Sequence, residues 1–159
     1  MSQRIDYSKA APAVFKAYQA FSQAVKASSL DKTLLHLVDL RASQMNGCAF
    51  CVDMHVKEAR LHGERELRLH HIIVWRESPL FSARERAALE WTETLTRLDG
   101  KPVPDAAFDA ARAHFSEAEL SELTFAIMAI NGWNRISCAF TSVPGALDSV
   151  YGLDKAGLN

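Results

Sequence analysis

Three side chains in the stretch Arg41-Ala-Ser-Gln-Met-Asn-Gly-Cys-Ala-Phe-Cys-Val-Asp-Met-His55 have the types and spacing for thiol chemistry: Cys48, Cys51 and His55. On an α-helix, at about 100° per residue, they fall within about 60° of one another. Cys48 and Cys51 then stand one turn apart, with roughly 5 Å between their Cα atoms, inside the window for a disulfide. Cys51 and His55 are i, i+4 neighbours, so the imidazole can reach the thiol. Asn46-Gly47 reads as a turn and puts the first cysteine at a helix N-terminus. Unpaired amides and the helix macrodipole stabilise an anion there. Thiolates so placed, or beside a histidine, have pKa values lowered from about 8.5 into roughly the 3.5–7.5 range. Nucleophilic attack near neutral pH and reversible disulfide closure are both open to such a pair.

Other readings of a C-x-x-C are half of a zinc site, a thioredoxin motif and a chance spacing. Zinc needs about two more ligands. Cys138 and the histidines can supply them in principle, but there is no second C-x-x-C and no H-x₃₋₅-H pair. A thioredoxin fold needs strands alternating with helices. His55 and the Asn-Gly turn weigh against coincidence and for redox thiols. If the helices on either side of Asn46-Gly47 form a hairpin, residues equidistant from the turn face each other. Cys51 then lies near Ala42-Ser43 and His55 near Val38-Asp39, with His36 one turn further on the Asp39 side. A proton relay can run from Cys51 to His55, with His36 or Asp39 orienting the imidazole. A core histidine and a solvated or salt-bridged carboxylate are the competing roles for those two.

The elements that must position these groups read as helices almost throughout. Pro12 to Ala27 carries an apolar stripe of Val14, Phe15, Tyr18, Phe21 and Val25. Asp31 caps a second helix reaching about Met45, whose leucines cover more than one face and predict deep burial. A third helix runs from Cys48 to about Leu61, and a shorter one from Glu64 to about Trp75. Ser82-x-x-Glu85 and Ser116-x-x-Glu119 are capping boxes opening helices to about Leu98 and Phe140, with a short helix from Val103 to Phe115 between them. Thr141 onward, with Pro144 and later glycines, reads as a tail. No alternating strand pattern, repeat or low-complexity stretch stands out. The expected fold is all-α: about seven helices in a single domain spanning residues 1–159. The wide apolar coverage of the second and last helices predicts self-association into a homo-oligomer.

Composition narrows the partners. The 159 residues are 48% hydrophobic and 23% charged, ordinary for a globular chain, and 18 Lys+Arg against 19 Asp+Glu leave a net charge of −1. No basic field points to nucleic acid and no apolar run to a membrane. The polar opening MSQRIDYSKA has no apolar signal core, and three cysteines make no disulfide framework, so a cytoplasmic location is expected.

The sequence resembles the AhpD-like alkylhydroperoxidase branch of the carboxymuconolactone decarboxylase family. The resemblance rests on Leu40-Arg-Ala-Ser-Gln-Met-Asn-Gly-Cys48 with Cys51 and His55, on Trp75-Arg-Glu-Ser-Pro-Leu-Phe-Ser82, and on Ala129-Ile-Asn-Gly-Trp-Asn-Arg135. Together these span about residues 31–140. The resemblance implies an all-α fold assembled as trimers or hexamers, and thiol-dependent reduction of hydroperoxides or of a partner peroxiredoxin. It implies that Cys51 is the reactive thiol, that Cys48 pairs with it in a disulfide, and that His55 belongs to the proton relay. The family motif has a glutamate twelve residues before the first cysteine; here that position is His36, with Asp39 as a possible substitute. Some members have a further relay histidine just before the second cysteine; here it is Phe50.

The expected partners are a hydroperoxide and an external dithiol donor, with no cofactor and no metal. A decarboxylase-type acid–base enzyme and a non-catalytic redox sensor are the rival functions, and the first has no need of two thiols. Cys138, on an apolar helix face, is expected to be a buried small hydrophobe. His70 and His71 are expected to be structural, and the three tryptophans to pack. Arg41 and Gln44 can border the site or be solvated. Arg76 and Glu77 read as a structural pair or an oligomer contact.

Overall fold

A computed structural model of the chain describes residues 2–158 and, among them, nine α-helices, two 3₁₀ turns and no strand. The helices are α1 (Tyr7–Ala10), α2 (Pro12–Lys26), α3 (Lys32–Met45), α4 (Ala49–Leu61), α5 (Glu66–His71), α6 (Ala83–Thr96), α7 (Asp105–Arg112), α8 (Glu117–Phe140) and α9 (Asp148–Tyr151); 3₁₀ turns cover Ile72–Val74 and Leu153–Ala156.

The boundaries follow the capping chemistry. Asp31 accepts from the backbone N–H of Thr33 at 2.8 Å and Leu34 at 3.2 Å, satisfying orphan donors at the start of α3. Both capping boxes form in full at Ser82/Glu85 and Ser116/Glu119. The α5 helix is shorter than expected: it stops at His71, and the β-branched run that follows tightens into a 3₁₀ turn. The count also exceeds seven because of two four-residue helices, α1 ahead of Pro12 and α9 within the segment expected to be a tail.

α3 is the central element, packed against α4, α6 and α8. It is apolar on more than one face because it serves two cores. Leu34, Leu35 and Val38 join Trp91, Phe115, Leu123 and Ile127 on one side. Leu37 and Leu40 join Ala59, Leu69, Ile72, Trp75, Phe81 and Leu89 on the other. Each fully buried leucine contributes about 1.5–3 kcal/mol of apolar transfer, so the rigid frame of the site is α3 itself.

The hairpin between α3 and α4 turns at Gly47, whose φ of +65° favours glycine. Asn46 pins that turn to α8, its Nδ2 donating to Asn131 Oδ1 at 3.0 Å and Asn134 Oδ1 at 2.9 Å. Asn134 is fully buried and in turn donates to Ser43 Oγ at 3.0 Å. Gly132 lets α2 approach: a Cβ there would overlap Tyr18 Oη, which donates to Ala129 O at 2.8 Å. The Asn131-Gly132-Trp133-Asn134 motif therefore positions the hairpin and α2. The Trp75–Pro79 segment is equally structural. Trp75 Nε1 donates to Glu93 at 2.8 Å, Arg76 lies 4.2 Å from the Trp75 ring centroid, and Arg86 holds the Trp75 and Ser78 carbonyls at 2.9 Å.

Three expectations are corrected. Val14 is 72% exposed and lies outside the α2 contact face. Cys138 is exposed, because α8 turns it away from the Asn134 and Ser137 face. Residues 141–158 are no free tail: they fold back so that the Leu153–Ala156 turn packs on α4, with Leu153 and Ala156 buried.

Candidate active site

Cys48 is the N-cap of α4, and Cys51 lies in its first turn. The Cys51 backbone N–H points at Cys48 Sγ, 3.2 Å away, so the sulfur sits where the helix presents unpaired amides. Cys48 and Cys51 are joined as a disulfide with a Cα–Cα distance of 5.3 Å. The pair is deeply enclosed, at 2% and 3% exposure, in a small cluster with Phe50 against which Met54 and Leu147 pack.

One turn further along α4, His55 meets two carboxylates. Its Nδ1 lies 3.1 Å from Glu58 Oε2 and 3.7 Å from Asp39 Oδ2. Asp39 comes from α3 through the hairpin register. Glu58 comes from α4 itself, at i+3, and Lys26 at the end of α2 pairs with it at 2.7 Å. Burial opposes the charge on His55, but Asp39 and then Glu58 outweigh it and raise its pKa above the ordinary imidazole value. Burial likewise opposes the charge on Glu58, yet the His55 hydrogen bond and the Lys26 charge hold its carboxyl well below the usual range. Burial pushes Asp39 up. His55 and Glu58 thus form a buried imidazolium–carboxylate pair. With Nδ1 engaged, Nε2 is the nitrogen available to a thiol.

His36 is placed differently from Asp39. Its Nε2 lies 2.9 Å from His62 Nδ1, with the rings stacked at 4.9 Å. His62 Nδ1 is also 2.9 Å from the Glu58 carbonyl oxygen, so the proton on that nitrogen serves both neighbours and His36 Nε2 accepts. His36 Nδ1 is buried without a partner. Burial lowers the His36 pKa to about 4, so it is a neutral core imidazole at pH 7.

Arg41 turns away from the sulfurs to pair with Glu93 at 2.6 Å, and Gln44 meets Arg41 at 3.4 Å. His71 Nδ1 lies 3.0 Å from Ser78 Oγ. Arg76 pairs with Glu90 and Glu93, at 2.6 and 2.8 Å. Among the described residues no group of three or more His, Cys, Asp or Glu side chains is arranged to hold a metal ion. Among the described residues no helix is long and apolar enough to cross a membrane.

The sequence reading missed Glu58 and Lys26. Glu58 had a signal, since it lies on the same helical face as His55; Lys26 had none, because only tertiary packing brings α2 to α4.

The helical frame and the α4 cysteine pair coincide with a family model, carboxymuconolactone decarboxylase, that matches residues 12–94. The chain belongs to the carboxymuconolactone decarboxylase family. Within this family it is 42% identical over 139 residues to the uncharacterised protein YdfG of Bacillus subtilis, covering 87% of this chain and 95% of YdfG. It is 39% identical over 118 residues to the uncharacterised YnjA of Escherichia coli, covering 74% of this chain and 62% of YnjA. A crystal structure of an Agrobacterium tumefaciens protein of unknown function, described as an AhpD-type antioxidant defence protein, superposes with a TM-score of 0.88. That pair shares 48% identity, covering 91% of this chain and 99% of the other. The debrominase Bmp8 shares the fold at a TM-score of 0.75 and 19% identity, covering 91% of this chain and 77% of the other.

Proposed function

We propose that this family member is a thiol-dependent antioxidant oxidoreductase that cycles Cys48 and Cys51 between dithiol and disulfide while it reduces hydroperoxides or a partner peroxiredoxin disulfide. The observation that carries this reading is the bonded pair at the α4 N-terminus, one turn from an imidazole held by carboxylates. In the reduced enzyme the proton shared between the Cys51 thiol and His55 rests on the imidazole, whose basicity Asp39 and Glu58 raise, so Cys51 is a thiolate beside an imidazolium. The thiolate attacks the peroxide; an S–O bond forms as the O–O bond breaks. The leaving alkoxide takes a proton back from the imidazolium and departs as an alcohol. Cys51 is now a sulfenic acid. The Cys48 thiol attacks that sulfur, water leaves, and the disulfide closes. An external dithiol restores both thiols and leaves as its own disulfide.

In this scheme Glu58 and Asp39 are positioning residues that hold His55 charged and oriented. His36 stands outside the relay, in contact with His62. No organic cofactor or metal enters any step. The similarity to the Agrobacterium protein supports the antioxidant reading, and the paired thiols weigh against decarboxylation, which has no use for them. The homo-oligomer, a trimer or hexamer, and the cytoplasmic location belong to the same proposal. Exposed Phe125 and Met128 on α8, beside Phe21 and Tyr18 of α2, supply apolar surface for self-association.

Hydroperoxide turnover with a dithiol donor tests the scheme. Wild type should turn over, Cys51→Ser should not, and full activity in Cys51→Ser would overturn it. A redox sensor would lose two thiols to peroxide without turning over.

A further inference from the structure

The folded-back segment 141–156 packs on α4 through the buried Leu153 and Ala156 and reaches the sulfur cluster through Leu147. Leu147 packs on the Cys48–Phe50–Cys51 cluster. Just beyond it, Asp148 Oδ2 accepts from Lys57 Nζ at 2.6 Å, and Lys57 also pairs with Asp53 at 2.9 Å. Lys57 is a lysine on α4 with only 5% of its side chain exposed. The Gly145 N–H donates to Asp53 Oδ2 at 3.0 Å. Asp53 and Lys57 lie on the Phe50 side of α4, more than about 100° around the helix from Cys51 and His55, so the segment is fastened beside the sulfur pair and reaches its cluster through Leu147.

Two features show that the closed position is incompletely satisfied. Ser142 Oγ and Asp148 Oδ1 are buried without a hydrogen-bond partner, and both would regain water on release. The segment leaves α8 at Thr141, a non-glycine residue held at φ +56°, and Gly145 and Gly152 have φ of +77° and +68°. A strap with strained and flexible joints, unsatisfied inner polar atoms and one buried ion pair is easily released as a unit.

We propose that residues 141–156 are a gate over the Cys48–Cys51 pair, latched by Asp148 on Lys57, and that the gate must lift before an external dithiol can reduce the disulfide. The inference rests on the redox reading above and adds the step that controls it. A donor thiolate must approach a sulfur along the S–S axis; one new S–S bond forms as the old one breaks, and the freed cysteine leaves as thiolate. The donor's second thiol then closes the donor disulfide and releases the other cysteine. With both cysteines almost fully enclosed and Leu147 on their cluster, that approach is blocked while the strap is down. Leu147 sets the width of the entrance, and the Asp148–Lys57 pair sets how often it opens.

The test follows thiol release from the oxidised full-length protein under excess dithiothreitol, with amide hydrogen exchange on the same samples. Asp148→Asn weakens the latch and Leu147→Ala thins the cover. Each should speed reduction, Asp148→Asn by about tenfold, the loss of one charge-assisted hydrogen bond. In Asp148→Asn, exchange should rise over residues 142–156 while α3 and α6 stay protected, which also shows that the variant is folded. Wild-type reduction rates in both variants would overturn the gate, above all if exchange over the segment has risen. The redox reading is judged separately, by whether the dithiothreitol-reduced wild type consumes hydroperoxide and re-forms the disulfide.

Discussion

Glu58 Oε2 lies closer to His55 Nδ1, at 3.1 Å, than Asp39 Oδ2 does, at 3.7 Å. The Asp39 charge is the largest single influence raising the His55 pKa, while Glu58, on the same helix, adds the hydrogen bond that orients the ring, with Lys26 balancing Glu58 from α2. Glu58→Gln should lower the His55 pKa and cut peroxide turnover about tenfold or more, with the pH optimum shifted. Asp39→Asn should cost less. The pH profiles of turnover for the two variants decide this; an unshifted profile for Glu58→Gln would remove it from the relay.

The same pair has a signature in stability. Glu58 is held below its unfolded pKa, so its contribution is present above the ordinary carboxylate range and is lost as pH falls through the folded value. His55 is raised above its unfolded pKa, so its contribution is full below about pH 6.5 and is lost as pH rises through the folded value. Urea unfolding across pH should show Glu58→Gln flattening the acid limb of the wild-type curve.

The α3–α4 register was legible because a hairpin about Asn46-Gly47 forces His55 opposite Asp39, a consequence of helix rise alone. Seven helices were legible from apolar periodicity and capping serines, since both are local. The fold-back of residues 141–156 was not, because its fastening is a contact between Asp148 and Lys57, 91 positions apart. Cys138 reads as apolar by its neighbours, but its exposure depends on where α8 meets other elements. The oligomeric expectation drew on the apolar coverage of α3 and α8; α3 spends its apolar faces on two cores within the chain, and α8 leaves Phe125 and Met128 exposed.

His36 gives a prediction independent of catalysis. It is 7% exposed, and its pKa is lowered to about 4 by burial, then by the charges of His62, His55 and Lys26 against that of Glu58. The unfolded chain takes up a proton at about 6.5 that the folded chain refuses until near 4, so stability falls as pH drops between those values. The loss at full development is about 3 kcal/mol. His36→Gln should remove that part of the slope in urea titrations from pH 7 to 4. A slope identical to wild type would show that His36 is protonated in the folded chain.

The two cysteines separate by their products. After one equivalent of peroxide without donor, wild type should lose two thiols and form the Cys48–Cys51 disulfide. Cys48→Ser has no resolving partner in the first turn of α4, so it should stop at a sulfenic acid on Cys51, 16 Da heavier by mass from one added oxygen. Mass spectrometry of intact protein reads both. A disulfide to the exposed Cys138 in Cys48→Ser would instead reveal a second resolving thiol.

Asn134 tests whether the hairpin depends on α8. It is fully buried, accepts from Asn46 Nδ2 and donates to Ser43 Oγ. Ser43 Oγ still has the Asp39 carbonyl to donate to, at 2.7 Å, and Asn46 keeps Asn131. Asn134→Ala therefore strands only part of each group's bonding, but it does so in a dry site and leaves a cavity. The expected loss is about 1–3 kcal/mol in urea unfolding. Because Asn46 fixes the turn that places Cys48 at the head of α4, the variant should also change the equilibrium between the Cys48–Cys51 disulfide and a glutathione buffer. Asn134→Asp keeps the acceptor for Asn46 and loses the donor to Ser43, so it should shift that equilibrium less than alanine does. A stability loss with no redox shift in either variant would mean that the network supports the fold without tuning the cysteines.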